Sequence, residues 1–391
     1  MKCIILTLLA VVAMAYCNQD TALLLNGNIK FTTKLFSEIA KSNTNKSFVI
    51  SAFSVLTPLA QLSLGAEGGT HDELLTAIGL PNDQSTKSAF TDMKTKLGSL
   101  KGAELRMANR IYVTEKYSVS KDYAAMTRQI FDSEVTSADF TQPEKTATEI
   151  NKWVEDHTNH RIKNLVDPKD LQDIVVILVN SIYFQSAWQT PFPKVSTMEQ
   201  NFHVTNHKTV KVPMMRKFSQ YKYVNSEELN SAIIELPYVG NNSALYIILP
   251  NDVEGITQLK DKLNNTSILE NALQEMQLVH IEVQIPRFTI ETRIDLKKTL
   301  PHVGVEKIFK IEESNLSKIV NGRSNNLYVG QASQKAFVEV NEEGTAAGAA
   351  NEFKLLLTSP LVQKYFIADR PFVFDIRINN APMFRGIYTA T

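Results

Sequence analysis

The sequence predicts one large α+β domain with mainly antiparallel β-sheets. Helical and strand patterns alternate along the chain instead of forming separate blocks, which is typical of mixed folds. Several apolar runs rich in β-branched residues are long enough to form strands buried on both faces. No linker, charge block or internal repeat divides residues 18–391. We therefore expect a single domain, although the length alone would suggest roughly two or three.

Three segments are predicted to be helices. Leu23 to Ala40 and Ser54 to Gly65 have apolar residues at helical spacing, and Ser54 is a candidate cap for the second helix. Glu144 to His157 has the same spacing, with acidic residues near its start. Acidic residues in a first turn interact favourably with the helix dipole, which supports a helix start there.

Five segments are predicted to be strands. Asp173 to Phe184 is a long β-branched run, and Ser243 to Pro250 is a second one, so both are expected near the middle of a sheet. Val279 to Pro286 alternates between apolar and polar residues, which indicates one solvated face. Pro371 to Ile378 and Pro382 to Tyr388 are predicted to form a closing hairpin.

The amino terminus has the pattern of a secretory signal peptide. Lys2 supplies a positive start, Ile4 to Ala15 is apolar, and small residues follow. The run is shorter than the about 20 residues that a membrane span needs, and a buried N-terminal helix is the alternative. We expect residues 1–17 to be removed by cleavage after Ala15 or Cys17, which makes the protein secreted and extracellular. Cleavage after Cys17 removes both cysteines, Cys3 and Cys17, so the secreted form would have no disulfide.

Charge balance limits the partners of this chain. Lys plus Arg and Asp plus Glu both number 41, so no strong field exists to attract nucleic acid or an anionic membrane. Lys94, Lys96 and Lys101 are a candidate patch for weak binding of sulfated glycans, although a plain solvated surface is the simpler interpretation.

Motifs for catalysis and metal binding are missing. The sequence has no Gly-x-Ser-x-Gly, no phosphate-binding glycine loop and no His-Glu-x-x-His. His157 and His160 could offer two imidazoles from a helix end, but no third ligand is evident. His203 and His207 lie in a segment predicted to be strand and turn. We expect no enzyme activity, no metal and no cofactor.

Asparagine-linked glycans are expected on part of the surface if the chain is secreted. The Asn-x-Ser/Thr acceptors are Asn45, Asn241, Asn264, Asn265 and Asn315. The motif is short, so several of these acceptors are expected to be unused.

One segment differs from ordinary globular sequence. Glu342 to Pro360 begins acidic, continues with small residues and ends in leucines. An alanine-rich helix is one interpretation, but Gly344 and Gly348 oppose it. The other is a latent strand, because one alternate set of residues is small and then apolar while Glu352 and Lys354 fall in the other set. The members of the first set are Thr345, Ala347, Ala349, Asn351, Phe353, Leu355 and Leu357.

This segment resembles the reactive-centre loop of the serpins, and motifs elsewhere agree in order over nearly all of residues 20–391. The matching motifs are Asn45–Ser54, Leu64–Glu73, Asp139–Phe140 with Ile150–Val166, Leu178–Trp188 and Phe366–Phe374. Ser333 to Gly344 looks most like the secreted insect serpins.

The resemblance implies a single-domain serpin fold over residues 18–391, with three β-sheets, about nine helices and an exposed reactive-centre loop at about 342–365. The implied hinge residues are Glu342, Glu343, Gly344, Thr345, Ala347 and Ala349. The implied shutter and breach residues are Ser51, Ser54, Asn180, Gln334 and Trp188. Two departures are Ala52, where many serpins have Pro, and Gln334, where many have His.

The resemblance also implies a suicide-substrate inhibitor. A target protease would form a covalent acyl complex with the loop, which then inserts into the main sheet; the inhibitor is expected to be monomeric. Counting from Gly344 places the reactive bond between Thr358 and Ser359. The residues expected to set target specificity are Leu355, Leu356 and Leu357. A bond between Leu357 and Thr358 is the alternative.

The class of target is less determined than the mechanism. A papain- or cathepsin L-like cysteine protease is slightly favoured, because such enzymes select an apolar residue where Leu357 stands. An elastase-like serine protease would accept Thr358, and cleavage after Leu357 would suit an elastase or a chymotrypsin-like enzyme. A non-inhibitory serpin acting as a binding or carrier protein is a further alternative, which the small hinge residues oppose.

Overall fold

The computed structural model describes residues 2–322, 327–345 and 364–391, with side chains from residue 19 onward. The described part of the chain has nine α-helices. They are α1 (Lys2–Ser42), α2 (Ala52–Gly65), α3 (Gly68–Ile78), α4 (Asp83–Gly98), α5 (Lys121–Phe131), α6 (Pro143–His157), α7 (Ile256–Lys262), α8 (Thr266–Gln274) and α9 (Leu296–Thr299). None of the helices in the described residues has an apolar stretch long enough to cross a membrane.

Fifteen strands occur in the same residues. They are β1 (Phe48–Ile50), β2 (Ala103–Thr114), β3 (Glu134–Ala138), β4 (Val176–Ala187), β5 (Met198–Thr205), β6 (Lys208–Ser226), β7 (Ser231–Pro237), β8 (Ser243–Pro250), β9 (Gln277–Pro286), β10 (Phe288–Asp295), β11 (Val329–Val340), β12 (Gly344–Thr345), β13 (Lys364–Ile367), β14 (Phe372–Ile378) and β15 (Ala381–Tyr388).

The smaller sheet has the order β10-β11-β4-β2-β3, and β12 pairs with β4. Strand β4 is therefore central, as its unbroken apolar run predicted. It begins later than predicted, at Val176, and extends to Ala187 because it stays paired with β2 as far as Ser186. Its two neighbours run in opposite senses: β11 is parallel to β4 and β2 is antiparallel.

The larger sheet has the order β1-β15-β14-β8-β7-β6-β9-β13, and β5 pairs with β6. The resemblance implies three sheets, whereas hydrogen bonding joins the described strands into two. The long strand β6 is the reason, because it pairs with β5 near Lys208 and with β7 near Ser226. The predicted closing hairpin is present as β14 and β15.

Helix α2 lies in the hydrophobic core, and every one of its residues is buried. Its N-cap is Ser51, whose hydroxyl accepts a hydrogen bond from the Ser54 amide at 3.2 Å. The prediction that Ser54 caps this helix was therefore wrong. An N-cap side chain must reach the amide about three residues later, and Ser54 occupies that later position.

Helix α6 packs on the opposite face of the smaller sheet, over a second hydrophobic cluster. Ile150 and Val154 on the helix contact a layer that includes Tyr183 and Phe337 on the strands. The helix ends at His157, and His160 lies beyond it with a positive φ, so the two imidazoles do not share a helical turn. No group of three metal-ligating side chains occurs among the described residues.

Candidate functional site

The start of the predicted loop already pairs with the central strand. Gly344 and Thr345 of β12 pair antiparallel with Ala187 and Ser186 of β4. Strand β2 pairs with the other edge of β4, where it too reaches Ser186, so β12 must lie on the β11 side. A chain extended beyond Thr345 would therefore run antiparallel to both β4 and β11.

The seam between β4 and β11 opens at this end. The last pair that joins the two strands is Tyr183 with Phe337. Beyond this pair β11 continues to Val340 in contact with β10, while β4 continues to Ala187 in contact with β12. The hinge thus occupies the mouth of a gap that leads between the two strands.

Gly344 is required at the point where the chain turns into this gap. Its φ is +141°, which L side chains rarely adopt. A Cβ at this position would lie 2.2 Å from the Ser186 carbonyl oxygen and 2.6 Å from the Ala187 Cα. Both neighbours are backbone atoms of β4 and cannot move aside cheaply, so only glycine permits this close approach.

The two acidic residues of the predicted hinge are held by contacts with polar and basic side chains. Glu342 is buried and accepts a hydrogen bond from the Thr197 hydroxyl at 2.8 Å, and Arg287 lies 3.7 Å away. Glu343 accepts a hydrogen bond from Lys194 at 2.5 Å, which raises the pKa of that lysine. These contacts fix the direction in which the hinge leaves β11.

Trp188, the predicted breach residue, is held by contacts to the hinge segment and to Tyr238. Its indole N–H donates to the Asn341 carbonyl at 2.8 Å, and its ring stacks on Tyr238 with centroids 4.6 Å apart. The Tyr238 hydroxyl in turn lies 2.8 Å from the Thr345 hydroxyl. Burial raises the pKa of Tyr238, so its hydroxyl stays protonated. Tyr238 was missed in the sequence because no periodic pattern distinguishes it from other tyrosines.

The residues predicted to form the shutter lie in a buried network of amides and hydroxyls. The Gln334 amide donates to the Ser51 carbonyl, the Ser54 hydroxyl and the Asn180 side chain at 2.7 to 2.9 Å. Asn180 donates to the Ser54 carbonyl at 2.6 Å and to the Asn109 side chain at 2.5 Å. Four of these five residues are those that the resemblance implies for the shutter: Ser51, Ser54, Asn180 and Gln334. Asn109 was missed because it lies outside the matching motifs, and only the pairing of β2 with β4 brings it opposite Asn180.

The network crosses the seam between β4 and β11. Gln334 lies on β11 directly opposite Asn180 on β4, and both side chains are completely buried. A strand added between β4 and β11 would separate them by one strand spacing of about 4.8 Å. Their hydrogen bond therefore stabilises the observed sheet and would be lost if a strand entered between β4 and β11.

Comparison with known proteins identifies this architecture. The Serpin family model, described as serine protease inhibitor, matches residues 26–390. The chain belongs to the serpin family. The resemblance inferred from the sequence motifs is thereby confirmed.

Insect serpins are among the similar proteins. Antitrypsin of Bombyx mori is 42% identical over 393 residues, which cover 99% of this chain and 100% of that protein. Antichymotrypsin-2 of Bombyx mori is 43% identical over 366 residues, which cover 93% of this chain and 97% of that protein. The crystal structure of Serpin48 from Tenebrio molitor matches with a TM-score of 0.86 at 32% identity, covering 94% of this chain and 97% of that one.

Part of the predicted reactive-centre loop lies outside the described residues. The hinge residues from Glu342 to Thr345 are placed as above. The predicted residues outside the described part are Ala347, Ala349, Leu355, Leu356, Leu357, Thr358 and Ser359. Lys364, at the far end of the loop, begins β13, which pairs in parallel with β9.

The five predicted glycan acceptors of this serpin are all exposed. They are Asn45, Asn241, Asn264, Asn265 and Asn315. Asn265 also caps α8 by accepting a hydrogen bond from the Ser267 amide at 3.1 Å, a contact that uses its oxygen and leaves the nitrogen that would carry a glycan.

Two lysines of the candidate sulfated-glycan patch are paired with acidic residues. Lys94 lies 3.6 Å from Asp132, and Lys96 lies 2.7 Å from Asp92. These ion pairs reduce the positive charge that the patch offers to a sulfated ligand.

Proposed function

We propose that this serpin is a secreted suicide-substrate inhibitor of proteases, acting by loop cleavage and insertion into the smaller sheet. The observation that supports this most directly is the seating of Gly344 and Thr345 against β4 at the mouth of the β4–β11 gap. Family membership supports protease inhibition and not catalysis. The mature inhibitor is expected to be monomeric and to need no cofactor.

The chemistry begins at the bond between Thr358 and Ser359. The nucleophile of the protease attacks the Thr358 carbonyl, the Ser359 amine leaves, and an acyl-enzyme forms. The freed segment after Thr345 then extends the strand begun by β12. Insertion of roughly a dozen residues adds up to about two dozen backbone hydrogen bonds, each worth ~0.5–1.5 kcal/mol net. The total is tens of kcal/mol before ordering costs, enough to distort the protease before it deacylates.

A papain- or cathepsin L-like protease is the slightly favoured target. Such enzymes select an apolar residue at the position before Thr358, and Leu357 occupies that position. A serine protease is the second candidate. Two relatives are named Antitrypsin and Antichymotrypsin-2, and elastase-like enzymes accept residues such as Thr358. The similarity of these relatives extends over the whole fold, whereas target choice depends on a few loop residues.

Secretion and glycosylation are part of the proposal. The signal-peptide pattern of residues 1–17 supports export, and the exposure of all five acceptor sites leaves room for glycans. Mass spectrometry of the secreted protein would test both, by its first residue and by the mass of each acceptor peptide. An uncleaved amino terminus would contradict the signal-peptide assignment.

The central test is incubation with papain, a cathepsin L-like protease, elastase, chymotrypsin and trypsin. We expect a complex that survives SDS and a released peptide that begins at Ser359. A peptide that begins at Thr358 would move the reactive bond to the alternative position. A complex with serine proteases alone would replace the favoured target class by the second candidate.

A non-inhibitory carrier is distinguished by a thermal melt after loop cleavage. Cleaved inhibitor should melt at a markedly higher temperature than intact protein, because the inserted strand adds backbone hydrogen bonds to the sheet. Cleavage with no complex and no rise in melting temperature would contradict the proposed mechanism.

A further inference from the structure

A cleft of about 500 Å³ lies on the larger sheet, beside the turn between β7 and β8. Strands β6, β7, β8 and β9 contribute side chains to it, and so does the turn between β14 and β15. The candidate glycan acceptor Asn241 is one of its lining residues. Among the described residues, none that belongs to the predicted hinge or shutter lines this cleft.

The charged groups that line the cleft are paired with other groups of the protein. Lys222 lies 3.2 Å from Glu235, and both are lining residues. Arg377, the third charged lining residue, forms ion pairs with Glu270 at 2.6 Å and with Asp375 at 3.2 Å. The cleft therefore offers little net charge to a ligand, which disfavours a phosphate, a carboxylate or an amine.

Several other polar groups of the lining are carboxamides that solvent can reach. Gln220, Asn242, Asn379 and Asn380 are exposed, and their side chains form no hydrogen bond within the described part of the chain. Each carboxamide can both donate and accept hydrogen bonds, as sugar hydroxyls and N-acetyl groups require. Leu278 adds an apolar surface that is 64% exposed. A neutral ligand that is rich in hydroxyls and has an apolar ring face matches this lining.

The turn that carries Asn241 is anchored to the end of β4. The Val239 amide donates a hydrogen bond to the Ala187 carbonyl at 2.9 Å. The side-chain oxygen of Asn241 accepts a hydrogen bond from Gln189 Nε2 at 2.9 Å. This bond uses the oxygen and leaves the nitrogen to which a glycan is attached. A glycan on Asn241 would therefore start from a fixed point in the lining of the cleft.

We infer that this cleft binds the first sugar residues of an N-linked glycan on Asn241. The inference rests on the proposed secretion and glycosylation of the chain. The volume equals that of about 17 waters at ~30 Å³ each, which gives room for roughly one or two N-acetylglucosamine rings. Because the glycan is attached to a lining residue, its effective concentration at the cleft is in the millimolar range or above. Weak contacts with the carboxamides and with Leu278 are therefore sufficient to hold it.

A glycan held in this cleft stabilises the segment next to the hinge. Asn241 lies in the turn that follows β7 and begins at Tyr238, and Gln189 directly follows Trp188 in the chain. Tyr238 stacks on Trp188 and contacts the Thr345 hydroxyl. Removal of the sugars should therefore lower the melting temperature of the intact protein.

The inference is tested by the rate at which peptide-N-glycosidase F releases the Asn241 glycan from the folded, secreted protein. Mass spectrometry of the Asn241 peptide gives the occupancy first and then follows the release. We expect the site to be occupied and the release to be slow. The double variant Gln220→Ala with Leu278→Ala should speed release at least about tenfold, because it removes a hydrogen-bonding group and an apolar contact that keep the sugars in the cleft.

A matched control changes the same two kinds of side chain elsewhere on the larger sheet. Gln200→Ala with Met198→Ala also removes one exposed carboxamide and one exposed apolar side chain, both on β5 and outside the cleft lining. It should leave the release rate unchanged. Enzymatic removal of the glycan should lower the melting temperature of the native protein and of this control, but not that of the cleft variant, whose sugars are already displaced.

Three results would overturn the inference. They are an unoccupied Asn241, equal release rates from the native protein and the cleft variant, and an equal change in melting temperature in both after the glycan is removed. A crystal structure of the glycosylated protein with the sugars in the cleft would support it directly. Protease inhibition is measured separately by the SDS-stable complex, so failure here would leave the proposed inhibitory function unaffected.

Discussion

The hydroxyl oxygens of Tyr238 and Thr345 lie 2.8 Å apart, and both side chains are completely buried. Tyr238 also stacks on Trp188, so the first paired residues of the hinge are tied to the aromatic cluster of the breach. The contact joins two positions that are 107 residues apart in the chain. It shows that the hinge is seated by side-chain chemistry as well as by backbone pairing with β4.

Removal of this hydroxyl pair should be measurable as a coupling energy. We expect Tyr238→Phe and Thr345→Val each to destabilise the intact protein, because each leaves one buried hydroxyl unpaired. The double variant should lose less than the sum, with a coupling of about 0.5–1.5 kcal/mol in urea unfolding. Tyr365→Phe, at an exposed tyrosine, is the control. Strict additivity of the two substitutions would show that the contact contributes nothing.

The alternation of the loop sequence predicts opposite results for two neighbouring substitutions. Ala349→Arg places a charge in the set of residues that would be buried on insertion, so it should convert the inhibitor into a cleaved substrate. Ala350→Arg places the same charge in the other set and should leave complex formation largely intact. SDS-stable complex with the target protease is the readout. Covalent complex with Ala349→Arg at the native yield would contradict insertion in this register.

Opening of the shutter should depend little on pH, because its hydrogen bonds join amides and hydroxyls only. Loop insertion should therefore proceed at similar rates at about pH 5.5 and about pH 7.5. Gln334→His introduces an imidazole whose ordinary pKa lies in this range. Because burial favours the neutral imidazole, protonation at lower pH should weaken the shutter of this variant. A steep pH dependence in the native protein, measured by insertion kinetics, would refute this account.

Asp375 should be essential for stability at neutral pH. Burial alone would raise the pKa of Asp375. The positive charges and hydrogen bonds of Arg385 and Arg377 lower this pKa by a larger amount, so the net pKa is below the usual value. A lowered pKa means that the carboxylate stabilises the fold above its unfolded pKa of about 3.9 and loses this effect as the pH falls through the folded pKa. Asp375→Asn should cost about 3–5 kcal/mol in urea unfolding, because it leaves buried guanidinium charge uncompensated.

The exposed Asp261→Asn is the control for this prediction, because it removes an acid that lies on the surface. It should change the free energy of unfolding by less than about 0.5 kcal/mol. A similar small loss for Asp375→Asn would show that the buried ion pairs contribute little.

Much of the fold could be predicted from local patterns. The unbroken apolar run placed β4 at the centre of a sheet, and α6 begins within one residue of its predicted start. Element ends were less accurate. Strand β4 ends at Ala187, beyond the apolar run, because pairing with β2 and β12 continues there. The cap of α2 is Ser51 and not Ser54, because capping depends on local backbone geometry.

The sequence by itself determined the family, and it predicted the hinge glycine and the alternation of the loop, because each depends on neighbouring residues or on motifs in a fixed order. Only the tertiary structure decided that Asn109 joins the hydrogen-bond network of the predicted shutter and that Tyr238 holds Thr345. These contacts join residues from distant parts of the chain. Their geometry depends on strand register and helix packing, which no local pattern encodes.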